Sequence, residues 1–303
     1  MKPPPFAYHA PTELDEAVGL LAEAGEQGKV LAGGQSLIPL LNMRLAQPRV
    51  VVDINGVAGL GGIGTGADGV RVGALVRHSQ LEADTAAAAA VPLLRQGLRL
   101  VAHPVIRNRG TTVGSIVHAD PAGEMPAVLA LMDGAVELRG PAGARTVPAA
   151  EFTTGPMETA LAPGEIAVAA RFPRPAPGTG TAFVEIARRH GDYALCGAAA
   201  ALTLDPDGRV TAARCCLVSA APVPLLVDLT PRLSGTRALP GELDEAAAAA
   251  AERSDPEDDI HASADYRRHL ARILTGRALA RAAAAAASAD TTAAPAADTG
   301  AIR

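Results

Sequence analysis

The fold of the first part of this chain is decided by Val30-Leu31-Ala32-Gly33-Gly34-Gln35-Ser36-Leu37. A short apolar run ends in a pair of glycines, and a polar pair then leads into an amphipathic segment that reaches Leu45. This order predicts a buried strand, a tight turn and a helix. Such a turn exposes backbone N–H groups beside a helix N-terminus, where phosphate binds well. Taken alone, the loop is consistent with a phosphate site and also with a plain connection that needs a residue at positive φ.

A second loop, further along the chain, is also rich in small and hydroxyl-bearing residues. It contains Asn108-Arg109-Gly110-Thr111-Thr112-Val113-Gly114-Ser115 and continues to Asp120-Pro121. Its hydroxyl and N–H groups could donate hydrogen bonds to an anion. Two such loops can hold the two ends of one diphosphate, and this hypothesis requires them to meet in the folded chain.

The pattern around the first loop predicts an α/β unit. A helix over residues 12–24 precedes the first strand, residues 30–32, and a strand over residues 50–54 follows the helix at residues 37–45. A strand–helix–strand order of this kind favours parallel strands. The next region adds short strands at residues 70–74, 136–138, 145–147 and 166–172 and helices near residues 78–84, 92–101 and 125–132.

The pattern changes in the last third of the chain. Residues 181–188, 195–204 and 210–218 are predicted to form an antiparallel meander of three strands, and helices follow at residues 243–253 and 264–287. We therefore expect a mixed α/β and α+β protein with an N-terminal domain at residues 1–175, in two parts (about 1–55 and 56–175), a boundary within Pro173–Gly180, and a C-terminal α+β domain at residues 180–281. The alanine-rich residues 282–303 are expected to be a disordered tail.

Composition excludes several functional classes. The 303 residues carry a formal net charge of −5, and no basic face for nucleic acid is evident in the sequence. No apolar run approaches the roughly 20 residues that cross a bilayer, and no signal-peptide core follows Met1–Pro5, so we expect a cytoplasmic protein. The three cysteines, Cys196, Cys215 and Cys216, are too few for an all-cysteine iron–sulfur cluster. They also lack the spacing of zinc ligands. We therefore predict that they are buried and pack as small apolar side chains.

One motif has the residue spacing of a dinucleotide-binding loop but not its structural context. Gly59-Leu60-Gly61-Gly62-Ile63-Gly64 has the Gly-x-Gly-x-x-Gly spacing, but it runs into another strand, whereas a dinucleotide loop opens a helix. It is interpreted as a connector. The chain also has no P-loop and no Gly-x-Ser-x-Gly nucleophile elbow. His103 and His118 border the second loop without the spacing of a metal site or a triad, which favours ordinary polar positions.

Three further residues leave two interpretations open. Asp120 and Glu124 could accept hydrogen bonds from ribose hydroxyls or cap the helix that follows them, and their chemistry alone favours the cap. The turn Arg188-Arg189-His190-Gly191-Asp192-Tyr193 ends in one of only three tyrosines. That ring could cover a flat ligand such as an isoalloxazine, or it could be a half-buried surface residue.

These motifs together resemble the FAD-binding medium subunit of the molybdenum hydroxylases, the carbon monoxide dehydrogenase and xanthine dehydrogenase type. The resemblance rests on Ala32–Leu37, Arg107–Thr111, His118–Pro121, Arg188–Tyr193 and Asp265–Arg268, and it spans about residues 1–281 in order. It implies a two-part FAD-binding domain followed by a C-terminal domain with a three-stranded antiparallel sheet and helices.

The resemblance also implies a set of FAD-binding residues. Those around the diphosphate would be Leu31, Ala32, Gly33, Gly34, Gln35, Ser36, Leu37, Thr111, Gly114 and Ser115. Glu124 would hold the ribose of the adenosine half, with Asp120 beside it. Asp192 and Tyr193 would lie near the flavin, with Tyr193 over one face of the ring. The family usually has a second glycine in the later loop, where this chain has Val113.

The function implied is electron transfer without a catalytic acid, base, nucleophile or metal of its own. FAD would receive electrons from a small [2Fe–2S] subunit, fed by a large molybdopterin subunit, and pass them to an external acceptor; a dimer of heterotrimers is expected. Two alternatives stay open. One is a stand-alone FAD oxidase with its own base, such as His190 or His103. The other is a nucleotide-binding module without redox chemistry.

Overall fold

The computed structural model describes residues 2–292, and side-chain burial as far as residue 288. Within the described residues, no helix is both long and apolar enough to cross a membrane. Buried side chains form two hydrophobic clusters. The first covers the N-terminal part of the chain and also includes Phe183, Ala194, Ala199, Cys216 and Val218, and the second lies within the C-terminal part.

The first part of the chain is a small parallel sheet with two helices. Its elements are β1 (Ala7–His9), α1 (Leu14–Ala24), β2 (Gly28–Leu31), α2 (Leu37–Asn42) and β3 (Val50–Asp53). The strand order is β1-β3-β2, and β3 pairs in parallel with both neighbours. The predicted strand–helix–strand unit is therefore confirmed. The second helix is shorter than predicted, because the chain turns at Arg44, whose φ is 58°.

The second part is a five-stranded antiparallel sheet covered by short helices. Its strands are β4 (Ile63–Gly66), β5 (Gly69–Gly73), β6 (Ala135–Gly140), β7 (Gly143–Pro148) and β10 (Ile166–Pro173), and a small hairpin adds β8 (Thr153–Gly155) and β9 (Glu158–Thr159). The helices are α3 (His78–Ala83), α4 (Thr85–Ala90), α5 (Pro92–Leu98), α6 (Pro104–Arg107), α7 (Thr112–His118), α8 (Glu124–Leu131) and α9 (Ala149–Phe152). The sheet order is β4-β5-β10-β6-β7, so the last strand of this region enters the middle of the sheet.

The C-terminal part is an antiparallel sheet packed against helices. Its elements are β11 (Thr179–Ala187), β12 (Ala194–Leu204), β13 (Val210–Val218), β14 (Leu225–Asp228), α10 (Thr230–Leu233), α11 (Pro240–Glu252) and α12 (Ala264–Thr292). The sheet has four strands in sequence order, so the prediction of three strands misses β14. That strand has four residues and follows Pro222 and Pro224, a composition typical of a loop.

The end of the last helix corrects a second prediction. Helix α12 continues to Thr292, and Ala282 and Ala286 are fully buried. The helix predicted for residues 264–287 is therefore confirmed and continues for five more residues, so the expectation of a disordered tail is wrong as far as residue 292. Residues 293–303 lie outside the described part of the chain. Small side chains let this helix pack closely on the sheet: a Cβ on Gly180 would lie 3.0 Å from the carbonyl carbon of Ala285.

The three cysteines lie on β12 and β13, where each is free and fully buried. Burial raises the pKa of the Cys196 and Cys215 thiols to about 12 and that of Cys216 higher still. They pack as small apolar side chains, as the sequence predicts.

Candidate cofactor site

A cavity of about 820 Å³ lies where the two N-terminal sheets and the C-terminal domain meet. Its volume is in the range of ligand sites, roughly 300–1,000 Å³. The predicted site residues that line it are Ala32, Gly33, Gly34, Gln35, Ser36, Leu37, Thr111, Gly114, Ser115, Asp120, Glu124, Asp192 and Tyr193. Leu31 is outside the lining; its carbonyl accepts a hydrogen bond from the Ile54 N–H at 3.0 Å. The folded chain thus gathers three distant segments around one cavity.

The first glycine loop presents backbone donors to this cavity. Within the described residues, the N–H groups of Gly34, Gln35, Ser36 and Leu37 donate to no protein acceptor. Gly34 has φ of 73°, a left-handed conformation that favours glycine. The loop therefore places several successive amide donors where an anion can accept them.

The two glycine loops are in direct contact. A Cβ on Gly33 would lie 2.5 Å from the Arg109 carbonyl oxygen, 2.8 Å from Gly110 Cα and 3.0 Å from the Thr111 nitrogen. No side chain fits there, because backbone atoms on the opposite loop cannot move aside. The requirement that both loops meet in the folded chain is met.

A chain of hydrogen bonds also ties the two loops together, and it includes two residues that sequence reasoning missed. Asn55 Nδ2 donates to the Ala32 carbonyl at 2.8 Å. Arg77 donates through Nη2 to Asn55 Oδ1 at 2.6 Å and through Nη1 to the Arg109 carbonyl at 2.8 Å. The Asn55 side chain has a recognisable signal, since it follows β3 at the same sheet edge as the first loop. Arg77, at the start of α3, has no such signal.

Helix α7 begins inside the second loop. The Thr111 hydroxyl accepts a hydrogen bond from the Gly114 N–H at 3.1 Å, so Thr111 is the N-cap of this helix. A Cβ on Gly114 would lie 2.5 Å from that hydroxyl oxygen, which explains the glycine. Val113 is 2% exposed and belongs to the N-terminal hydrophobic cluster. Its side chain therefore belongs to the core, and it also lines the inner wall of the cavity.

Beside Thr112, a buried histidine that sequence reasoning also missed lines the cavity. The His78 N–H donates to the Gly110 carbonyl at 2.9 Å, and its Nδ1 lies 3.3 Å from the Thr112 hydroxyl. Burial, with a smaller contribution from Arg107, lowers the pKa of His78 to about 4. The imidazole is therefore neutral at neutral pH and supports the second loop.

The two carboxyl groups after α7 have different environments. Asp120 Oδ1 accepts the Ala122 N–H at 2.8 Å, and α8 begins after Gly123 without any side-chain cap. The preference for a helix cap is therefore wrong for Asp120, because its carboxylate binds a separate turn. Glu124 is itself the first residue of α8, so its carboxyl group lies near the positive end of that helix. Glu124 lines the cavity and is 9% exposed. Burial, and then the charge of Asp120, raises the pKa of Glu124 to about 7.

The C-terminal domain contributes one short turn to the lining, residues 191–193. Gly191 has φ of 79°. Asp192 accepts the Tyr193 N–H at 3.0 Å and the Arg189 Nε at 3.2 Å. The Tyr193 side chain is 68% exposed, so its ring stands at the mouth of the cavity.

Other sequence motifs lie elsewhere. Residues 59–64 are absent from the cavity lining and lead into β4, which fits their interpretation as a connector. His103 and His190 are exposed and do not line the cavity. His118 does line it and lies 3.9 Å from Asp120 through Nε2 and Oδ2.

Comparison with protein families matches almost the whole described chain. Residues 4–175 match the FAD binding domain in molybdopterin dehydrogenase, and residues 181–282 match the CO dehydrogenase flavoprotein C-terminal domain. Residues 176–180, between the two matches, belong to the proline- and glycine-rich segment Pro173–Gly180.

Individual relatives are similar over their whole length. The 6-hydroxypseudooxynicotine dehydrogenase complex subunit alpha of Paenarthrobacter nicotinovorans is 38% identical over 93% of this chain and 96% of its own. The carbon monoxide dehydrogenase medium chain of Afipia carboxidovorans is 38% identical over 93% of this chain and 98% of its own. The crystal structure of quinoline 2-oxidoreductase from Pseudomonas putida 86 superimposes with a TM-score of 0.89, at 39% identity, over 94% of this chain and 99% of that one.

Proposed function

Because this chain belongs to the family of FAD-binding medium subunits of the molybdenum hydroxylases, we propose that it is an electron-transfer subunit whose FAD occupies the 820 Å³ cavity. In this proposal FAD receives electrons from a small [2Fe–2S] subunit, which a large molybdopterin subunit supplies, and passes them to an external acceptor. The proposed domains are residues 1–175 for FAD and 180–281 for the C-terminal part, and the proposed location is the cytoplasm.

The observation that carries the proposal is the contact between the two glycine loops. Gly33 lies against the backbone of residues 109–111, and the unpaired N–H groups of residues 34–37 line the same cavity. Of the residues between 2 and 292, Lys29 is the only lysine or arginine that lines the cavity, so a diphosphate would be bound mainly by backbone amides and hydroxyls. Ser36 and Ser115 line the cavity with hydroxyl groups that have no protein partner among the described residues. These donors fit a diphosphate.

The remaining predicted site residues of the lining are assigned to the ribose and the flavin ring of FAD. We assign Glu124 to the adenosine ribose, with Asp120 beside it. A carboxyl group with a pKa of about 7 is partly protonated at neutral pH, and then it both donates and accepts hydrogen bonds, as a ribose hydroxyl does. We assign Asp192 and Tyr193 to the flavin ring, since they form the wall supplied by the C-terminal domain.

Bound FAD would supply the redox chemistry, accepting electrons and releasing them. The chain itself positions the ring and controls its exposure to solvent and acceptor. A stand-alone oxidase would need a base facing its substrate. His103 and His190, the candidates for that role, do not line the cavity, and the lining His78 has its pKa lowered to about 4 by burial. The other lining histidine, His118, lies 3.9 Å from Asp120. The two bases that the stand-alone oxidase would use therefore lie outside the cavity, which favours the electron-transfer role.

The composition of the native complex tests this proposal. The complex would be purified through this chain, its cofactor released by heat and identified by chromatography, and its molybdenum and iron measured. We expect FAD in a 1:1 ratio to the chain, with both metals present. A lone chain that turns over a small organic substrate without partners would overturn the electron-transfer role, and a chain without FAD would overturn the cofactor assignment.

A further inference from the structure

Within the part of the C-terminal domain that the structure describes, the turn at residues 191–193 is the whole contribution to the cavity lining. Its internal hydrogen bonds, between Asp192 and its neighbours Arg189 and Tyr193, are local. They shape the turn without attaching it to the other domain. The position of Tyr193 over the cavity therefore depends on contacts between the turn and the N-terminal part of the chain.

One such contact is made by an imidazole ring. A Cβ on Gly191 would lie 2.5 Å from His103 Cε1, 2.6 Å from Nδ1 and 3.0 Å from Nε2. The α-carbon of Gly191 therefore lies against the His103 ring, and a side chain at this position would require the ring to shift; the φ of 79° also favours glycine. His103 precedes α6 in the N-terminal domain. The His190 ring lies beside it, with centroids 6.2 Å apart and planes inclined by 32°.

A second contact holds the other end of the turn. The Ser219 N–H donates to the Pro121 carbonyl at 2.8 Å, and the Ser219 hydroxyl donates to the Ala194 carbonyl at 2.7 Å. Ala194 directly follows Tyr193. The turn is thus attached on both sides of Tyr193, by His103 before it and by Ser219 after it.

We propose that His103 is a positioning residue, whose imidazole packs on Gly191 and holds Tyr193 over the cavity, so that it limits access to the flavin ring. This inference rests on the proposed function, because the access it describes is to bound FAD. His103 does not line the cavity and would act on the flavin only through the turn. Access to the ring matters because an external acceptor has to reach it.

The test uses the full-length chain with its FAD and measures the quenching of flavin fluorescence by iodide, together with the visible spectrum. His103→Ala removes the ring that supports Gly191, so the turn should be displaced from the cavity more often. We expect the quenching constant to rise about fivefold, which corresponds to a change of roughly 1 kcal/mol in the equilibrium between the two positions of the turn. His103→Phe keeps a flat ring and should restore quenching to near the wild-type value. His269→Ala is the matched control, because His269 is an exposed residue of α12 outside the lining.

A double substitution adds a test of the contact itself. Gly191→Ala should displace the turn, and combining it with His103→Ala should cost less than the sum of the two changes, because the steric conflict is then absent. Ser219→Ala is the independent variant for the opposite end and should also raise quenching. If the His103→Ala chain keeps its FAD but has the wild-type quenching constant and spectrum, the role of His103 is overturned and the proposed function is not. The same holds if the quenching constant of His103→Phe is as high as that of His103→Ala. A wild-type chain without FAD overturns the proposed function instead.

Discussion

Gly33 packs on the backbone of Gly110, so closely that a Cβ on Gly33 would lie 2.8 Å from the α-carbon of Gly110. The two residues are far apart in sequence, one after β2 and the other before α7. Their contact brings the loops that hold most of the proposed phosphate donors to one place. The site therefore depends on a backbone-to-backbone approach that any side chain would prevent.

Gly33→Ala should consequently disturb both stability and cofactor retention. The new methyl group meets a carbonyl oxygen and an α-carbon, so the loops must separate, at a cost of about 1–3 kcal/mol in the free energy of unfolding. Chemical denaturation of the apo chain and the flavin content of the purified chain measure the two effects.

Gly19→Ala is the control for Gly33→Ala. Gly19 lies within α1 and has open space where a Cβ would be, so alanine should stabilise the chain by roughly 0.5–1 kcal/mol. A Gly33→Ala chain with unchanged stability and full flavin content would show that Gly33 does not pack on the backbone of the second loop.

The hydrogen bonds through Asn55 and Arg77 should contribute to cofactor affinity although neither side chain lines the cavity. Asn55→Ala and Arg77→Ala each break the connection between the Ala32 and Arg109 carbonyls, and each should weaken FAD binding about three- to tenfold, the effect of roughly 1 kcal/mol. Titration of the apo chain with FAD measures this. Because both residues belong to one connection, the double variant should lose little more than either single one. Fully additive losses would contradict a shared role.

Glu185 should make the stability of the apo chain depend on pH. Its Oε2 is buried without a hydrogen-bond partner in the described residues, and burial, with a smaller effect of Glu124, raises its pKa from 4.5 to about 8. Between those values the folded chain holds a proton that the unfolded chain has lost. The free energy of unfolding therefore falls as pH rises through this range.

Glu185→Gln removes this titrating group, so the free energy of unfolding should depend less on pH. The difference in unfolding free energy between pH 5 and pH 8.5 should fall by on the order of 3 kcal/mol. Urea denaturation at several pH values measures it. Glu23→Gln, at an exposed position of α1, is the control and should keep the wild-type slope. An unchanged slope in the Glu185→Gln chain would mean that this carboxyl is ionised in the folded state.

Tyr193→Ala should change the spectrum of bound flavin more than its affinity. Stacking of an aromatic ring is worth roughly 0.5–1.5 kcal/mol, so the dissociation constant should rise by no more than about tenfold. The absorption bands should shift and flavin fluorescence should increase, since the covering ring is gone. Tyr266→Ala, another exposed tyrosine on α12, should alter neither. If both variants give the wild-type spectrum, Tyr193 does not contact the ring.

The sequence predicts the parts of this molecule that local chemistry determines. The strand–turn–helix at residues 30–37, the parallel strand at residues 50–53 and the meander from β11 to β13 follow from periodicity and turn residues. The sequence does not show which distant groups are in contact, so it gives no reason to place Arg77 or His78 at the cofactor site. Asp120 illustrates a different limit: its carboxylate binds a turn at Ala122 that only the folded backbone reveals. The C-terminal helix extends beyond its predicted end at residue 287, because alanine repeats are compatible with disorder as well as with close packing.

That close packing can be tested at Gly180. A Cβ there would clash with the backbone of Ala282 and Ala286 and lie 3.0 Å from the carbonyl carbon of Ala285. Gly180→Ala should force α12 away from β11 and lower the free energy of unfolding by about 2–3 kcal/mol, because the helix backbone cannot yield locally. Thermal unfolding measures this, with Gly241→Ala in α11 as the control, since no atom lies within 4 Å of its Cβ position. A Gly180→Ala chain as stable as wild type would mean that residues 282–286 do not pack on the sheet, and that the helix contributes nothing to the domain beyond residue 281.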